Sequence, residues 1–263
     1  MNILETIVEQ KKLEISNKKS EMGISDFEKN IFFNREPLSL KKFLLDETRT
    51  GIIAEFKRKS PSKGIINAHA DVVEITSAYA NGGASALSVL TDEFFFGGSS
   101  GDLMRARVNE IPILRKDFVI DEFQIAEARS MGADAILLIA ACLSPLQVKT
   151  LAKFAKSLQL EVLLELHAEE ELEHICDETE IIGINNRNLK TFEVDIERSL
   201  RMAEKIPAAK IKVAESGIST VENIILFKRN GFHGFLIGEN FMKEKDPAIA
   251  FASFVNKLKT VAT

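Results

Sequence analysis

The segment DAILLIAACLSPLQVKTLAKFAKSLQLEVLLEL, residues 134–166, holds one complete repeat of the architecture. Its ends, DAILLI (134–139) and EVLLEL (161–166), are short and almost continuously apolar, and the stretch 145–157 between them sets apolar residues at helical spacing. A strand that is apolar on both faces belongs in a parallel sheet covered by helices. Parallel neighbours need a crossover of about a dozen residues, which is the room a helix takes. Outward in both directions the unit recurs, as IIAEF (52–56), SALSVL (85–90), PILRK (112–116), IIGIN (181–185), KIKVAE (210–215) and GFLIG (234–238). Helical spacing returns at 72–81, 122–130, 196–204 and 219–229. Strand centres fall about 20–33 residues apart, the pitch of one strand, one helix and two short loops, so the reading is an α/β fold, a closed (β/α)8 or TIM barrel. An open doubly wound sheet would need fewer strands and a glycine fingerprint after the first, and no GxGxxG occurs there.

Ahead of the barrel, from Asn2 to about Asp46, Ile3, Ile7, Leu13, Ile15, Leu40, Phe43 and Leu44 alternate with Lys, Glu and Asn in a helical pattern. The expected organisation is one domain over 1–263, with a helical N-terminal extension (1–48) leading into the barrel (49–263). An apolar share of 45% suits a chain with a large core, and a net charge of −5 argues against a protein built to neutralise nucleic-acid phosphates. Cys142 and Cys176 form no CxxC pair, which predicts neither a disulfide framework nor a zinc knuckle. The first twenty residues mix Glu and Lys throughout, and the longest apolar run is Ala135 to Leu143. The expectation is a cytoplasmic monomer with no membrane or nucleic-acid partner.

Catalytic groups of such barrels stand at the C-terminal ends of the strands. Here those ends carry Glu55 and Lys57, then Arg115, Lys116 and Asp117, then Glu165, then Asn185 and Arg187, then Glu215 and Ser216, and finally Gly238. One charged residue at a strand end is ordinarily a solvated terminus or half of an ion pair. Here that reading must hold strand after strand. Strand parity puts Glu55 and Lys57 on one face, Arg115 and Lys116 on opposite faces, and Glu165 on the side of Leu163. Lysines and glutamates grouped in an apolar cup shift one another's pKa values toward acid–base work near neutrality. His69, His167, His174 and His233 show neither HxH nor HExxH spacing, so no metal is expected, and His167, directly after a strand, reads as a structural or capping residue.

Two glycine-bearing turns, AESGIS (214–219) and LIGENFM (236–242), close the last two strands, where phosphate-binding barrels cradle the anion on backbone N–H groups and a short helix. Either glycine alone could simply allow a tight turn. Together they predict a small phosphorylated substrate. The basic loop KRKSPSKG (57–64) reads as a mobile cover for that anion, and Phe95, Phe96 and Phe118 offer either core packing or a wall for a flat group.

Taken together, IAEFKRKSPSKG (53–64), LTDEFFFGGS (90–99), ILRKDFVID (113–121), LLELH (163–167), GINNRNL (183–189), AESGI (214–218) and FLIG (235–238) are similar, in order and over nearly the whole chain, to the indole-3-glycerol-phosphate synthase family. The resemblance implies ring closure of 1-(2-carboxyphenylamino)-1-deoxyribulose 5-phosphate with loss of CO2 and water, without a metal or cofactor. By this resemblance Lys116 is the general acid of ring closure, and Glu165 the acid–base group of proton removal and dehydration, with Glu55 and Asn185 assisting. Lys57 and Arg187 are cationic partners of the substrate's carboxylate or phosphate. Ser60, Phe96, Phe118 and Leu189 line the aryl pocket and its rim. Glu215 is counted with the substrate-binding residues, and Ser216, Gly217, Gly238 and Glu239 hold the phosphate. Asn186, Asn188 and Glu239 depart from the family's usual Ser, Asp and Ser, and the Glu239 carboxylate must turn away from the anion. A phosphoribosylanthranilate isomerase, or a barrel that binds phosphorylated ligands without catalysis, would share the phosphate loops but would not need Lys116 and Glu165 together.

Overall fold

The computed structural model describes residues 3–188 and 193–262. Eight parallel strands close into a barrel: β1 (Ile52–Phe56), β2 (Ala86–Leu90), β3 (Ile113–Lys116), β4 (Ala135–Ile139), β5 (Glu161–Leu166), β6 (Ile181–Asn185), β7 (Ile211–Glu215) and β8 (Phe232–Ile237). Each pairs with the next, and β8 returns to β1 with Ile53 opposite Leu236. β8 starts two residues before the expected GFLIG run because a register shift against β7 between Phe232 and Gly234 absorbs an extra residue.

Strand parity divides the core in two. Ile53, Ala86, Leu114, Ala135, Leu137, Leu163, Ile181, Ile211, Val213 and Leu236 fill the barrel interior, while Ile52, Leu87, Ile113, Ile136, Leu164 and Ile182 face the helices. Both faces are apolar, so register is decided at the strand ends: a one-residue slip would turn Glu55, Lys116, Glu165 or Glu215 from the barrel mouth toward the helix layer, where a buried charge has no partner. The crossover helices have sharp starts. Ser144 caps Pro145–Ser157 in a capping box with Gln147, and Asp121 caps Glu122–Met131, which ends on Gly132 at φ 89°, a left-handed conformation that favours glycine.

The N-terminal extension differs from a continuous helical pattern. Helices span Ile3–Glu21, Ile24–Phe27 and Leu40–Leu45, and residues 28–39 run through turns and extended chain. Gly23, Asn30, Asn34 and Pro37 interrupt helix propagation there. The backbone is spent elsewhere: the Leu38 N–H donates to the buried Asp134 carboxylate at 2.7 Å. Leu40 and Leu44 then plug the lower end of the barrel. On the first helix Ile7, Lys11 and Ile15 form the buried face, four residues apart, and Leu13 lies on the outer face at 62% exposure. No helix among the described residues is long and apolar enough to cross a membrane.

Candidate active site

The interior parity that stacks the apolar layers continues upward into charge. One step beyond Ile53, Leu114, Leu163, Ile181 (through Gly183) and Val213, the inward positions are Glu55, Lys116, Glu165, Asn185 and Glu215. Together they floor a cavity of about 410 Å3 at the C-terminal mouth, walled by Ile7, Phe96, Phe118, Leu137 and Ile139. Arg115, next to Lys116, points outward and bonds Glu127 at 2.7 Å and Asp117 at 3.1 Å.

Lys116 Nζ donates to Glu165 Oε2 at 3.1 Å and to Glu215 Oε2 at 2.8 Å. Asn185 Nδ2 donates to Glu165 Oε1 at 2.9 Å. On the other side of the cup Lys57 Nζ donates to Glu55 Oε1 at 2.6 Å, and Ser88 Oγ approaches Glu55 Oε2 at 3.4 Å. Burial opposes charge on all these groups, and their partners decide the outcome. Lys116 is held above its ordinary value because Glu165, Glu215 and Glu55 outweigh its desolvation. Burial would raise Glu55 and Glu165, but Lys57 and Lys116 hold the first below the usual carboxylate range, and Lys116, His167 and Asn185 hold the second well below it. Glu215 shares the same ammonium without those extra donors, and burial pushes it up to about 7. One ammonium between two carboxylates thus keeps Glu165 ionised and lets Glu215 carry a proton near neutrality.

Two glycines make room for these carboxylates. A Cβ on Gly183 would lie 2.1 Å from Glu215 Oε1, and one on Gly238 would lie 2.6 Å from Glu55 Oε1. Gly238, expected to serve a phosphate, is therefore also required by the floor of the cup. The turn after β7 takes left-handed backbone twice in succession, Ser216 at φ 66° and Gly217 at φ 70°. Asn186 Nδ2 holds it by donating to the Ser216 carbonyl at 2.7 Å. With Gly238 and Glu239 this turn forms a second, polar side of the same cavity.

Arg187, Ser60, Phe96 and Phe118 also line the cavity, whereas Leu189 lies outside the described residues. The Glu239 carboxylate faces the cations at the rim, 3.7 Å from Arg187 and 3.8 Å from Lys63. The loop read as a mobile cover holds a small hairpin, Lys59–Ser60 against Gly64–Ile65, preceded by Arg58, whose guanidinium bonds both oxygens of Asp102 at 2.7 and 3.0 Å. His167, read from sequence as a cap or structural residue, is part of the cavity wall, with Nε2 2.9 Å from Glu165 Oε1. Its place directly after a strand whose last inward residue is Glu165 was the available signal.

Residues 4–254 match the family model for indole-3-glycerol phosphate synthase. An indole-3-glycerol phosphate synthase of Bacteroides thetaiotaomicron is 46% identical over 98% of this chain and 99% of its own length. One of Acinetobacter baumannii is 41% identical over 98% and 97%. Among solved structures, the tryptophan synthase α2β2 complex of Pyrococcus furiosus contributes a chain similar in fold alone, with a TM-score of 0.60 at 16% identity, covering 81% of this chain and 99% of that one.

Proposed function

The chain belongs to the indole-3-glycerol phosphate synthase family, and from that premise we propose that it converts 1-(2-carboxyphenylamino)-1-deoxyribulose 5-phosphate to indole-3-glycerol phosphate, CO2 and water by acid–base catalysis from Lys116 and Glu165. The observation that carries this reading is the position of Lys116, an ammonium fixed between two carboxylates on the floor of a cup with one apolar and one polar wall.

The flat carboxyphenyl group packs against Phe96 and Phe118, and the phosphate takes the turn at Ser216 and Gly217 with the backbone of Gly238 and Glu239. Lys57 and Arg187 meet the substrate's carboxylate or phosphate. The aryl carbon bearing the carboxylate attacks the ketone carbon, and the ketone oxygen takes a proton from Lys116 as the new C–C bond forms. The ring then carries positive charge shared with nitrogen. That charge draws in the electrons of the C–CO2 bond, and CO2 leaves. The hydroxyl formed in the first step departs as water with a proton from a cup ammonium, and Glu165 removes the proton from the carbon next to nitrogen, completing the indole. Two protons are given and one is taken, so each turnover draws one from solvent. The setting that fits is a cytoplasmic monomer acting on a small phosphorylated substrate without a cofactor.

Incubating the purified chain with the carboxyphenylamino-deoxyribulose phosphate should produce indole fluorescence together with CO2; absence of both rejects the assignment. A sugar isomerase would release no CO2. Gly183→Ala gives an internal check, because its methyl group must displace the Glu215 carboxylate. Misplacement of about 1 Å in such a site costs up to roughly 100-fold, so kcat should fall 10- to 100-fold with little change in KM, and an unchanged kcat would remove Glu215 from the working geometry.

A further inference from the structure

His167 follows β5 directly and is 8% exposed. Its imidazole sits between two carboxylates, with Nε2 2.9 Å from Glu165 Oε1 and Nδ1 3.9 Å from Glu171 Oε2. Both contacts are ionic approaches rather than aligned hydrogen bonds, and neither ring nitrogen has a hydrogen-bond partner among the described residues. A nitrogen lone pair facing an anionic oxygen is repelled, so a ring in this position satisfies both neighbours only with a proton on each nitrogen. Glu171 is itself fixed, accepting the backbone N–H groups of His167 at 2.5 Å and Ala168 at 3.4 Å. Glu165 thus has two side-chain donors, Lys116 and Asn185, and the His167 ring as a close ionic neighbour. The ammonium and the amide keep their protons through the neutral range. The imidazolium is the one that can lose its own there.

We propose that His167, as an imidazolium braced between Glu165 and Glu171, is a positioning residue that keeps the Glu165 carboxylate ionised and aimed at the proton it removes, and that loss of the imidazolium proton sets the alkaline limit of turnover. This rests on the reading of Glu165 as the base. The groups that face the ring are Glu165 on its own strand, Glu171 in the turn that follows, and Glu215 from β7, with Lys116 reaching it through Glu165. The nearby Cys142 thiol is neutral, pushed up to about 12 by burial, with Glu165 and Glu171 adding to the effect. Burial disfavours the charged ring, but Glu165, Glu171 and Glu215 outweigh it and raise its pKa above 6.5. The braced form therefore persists to higher pH than in a free imidazole and is lost as pH rises through that raised value.

The test uses kcat–pH profiles of the intact enzyme and of His167→Gln, with an NMR titration of the imidazoles. In the unmodified enzyme kcat should decline on the alkaline side. In His167→Gln it should be roughly 10-fold lower at neutral pH, with KM within about twofold, and should show no decline over the same interval. Added imidazole should restore part of the rate to His167→Ala, which a merely structural role would not allow. Only four histidines are present, so the His167 signal is identified by its loss in His167→Gln, and it should titrate at lower pH in Glu165→Gln. An unchanged alkaline decline in His167→Gln, or a ring pKa at or below 6.5, overturns the proposal. A ring that titrates as described in a chain that closes no ring would support the brace and sink the reaction assignment instead.

Discussion

Replacing Lys116 by methionine should lower kcat on the order of 1000-fold while leaving the barrel folded. General acids contribute about 100- to 10,000-fold. This one also supplies the charge that keeps Glu165 ionised, so its removal costs the enzyme its base as well as its acid. Methionine has nearly the same length and shape, and the position lies above the apolar layers rather than within them. Product affinity should persist, because the turn at Ser216 and Gly217 owes nothing to Lys116. Single-turnover indole fluorescence and titration with indole-3-glycerol phosphate separate the two effects. A variant within tenfold of normal turnover would remove Lys116 from the acid role.

The second large effect concerns stability. Asp134, fully buried at the start of β4, accepts the backbone N–H groups of Leu38 at 2.7 Å and Ile113 at 2.8 Å, and pairs with Arg107 at 2.6 Å and with Arg35. Asp134→Ala leaves two N–H groups without their acceptor and two guanidinium groups without their anionic partner at the bottom of the barrel. Breaking a buried ion pair by removing one partner costs about 3–5 kcal/mol, which for a chain of this size corresponds to a fall in Tm on the order of 10 °C. Residues 28–39 would lose the Leu38 and Arg35 contacts to Asp134 in the same step, loosening the segment against its remaining contacts at Arg129 and Glu161, so proteolysis there should accelerate. Thermal unfolding checks the first expectation and limited proteolysis the second. A loss under about 1 kcal/mol would show that Asp134 is not the anchor its contacts indicate.

Most of the barrel can be read from the sequence because its signal is local. Continuous apolar strands and amphipathic crossovers each occupy a few neighbouring residues, and parity along β3 is enough to put Arg115 and Lys116 on opposite faces, the structure deciding that Lys116 is the inward one. Glu55, Glu165 and Asn185 follow from the same parity once the strand ends are placed. What escapes is whatever depends on two strands at once. Gly183 must be glycine because Glu215 of the neighbouring strand fills the space above it, and no feature of GINN announces that. His167 becomes meaningful only when Glu171 turns back toward it. The course of the chain at Leu38 is held by Asp134, about a hundred residues away, and Leu13 fits the apolar pattern of the first helix yet faces solvent.

Adjacent residues of β3 serve separate compartments. Arg115 belongs to an ionic girdle outside the barrel, which reaches Lys18 on the first helix through Glu127, while Lys116 keeps the proton inventory inside. The structural ion pairs of Arg115 and the acid–base contacts of Lys116 therefore lie on opposite sides of one sheet, meeting at Asp117. A change at the half-exposed Lys18, on the outer end of that girdle, should therefore leave kcat untouched, whatever it does to the fold.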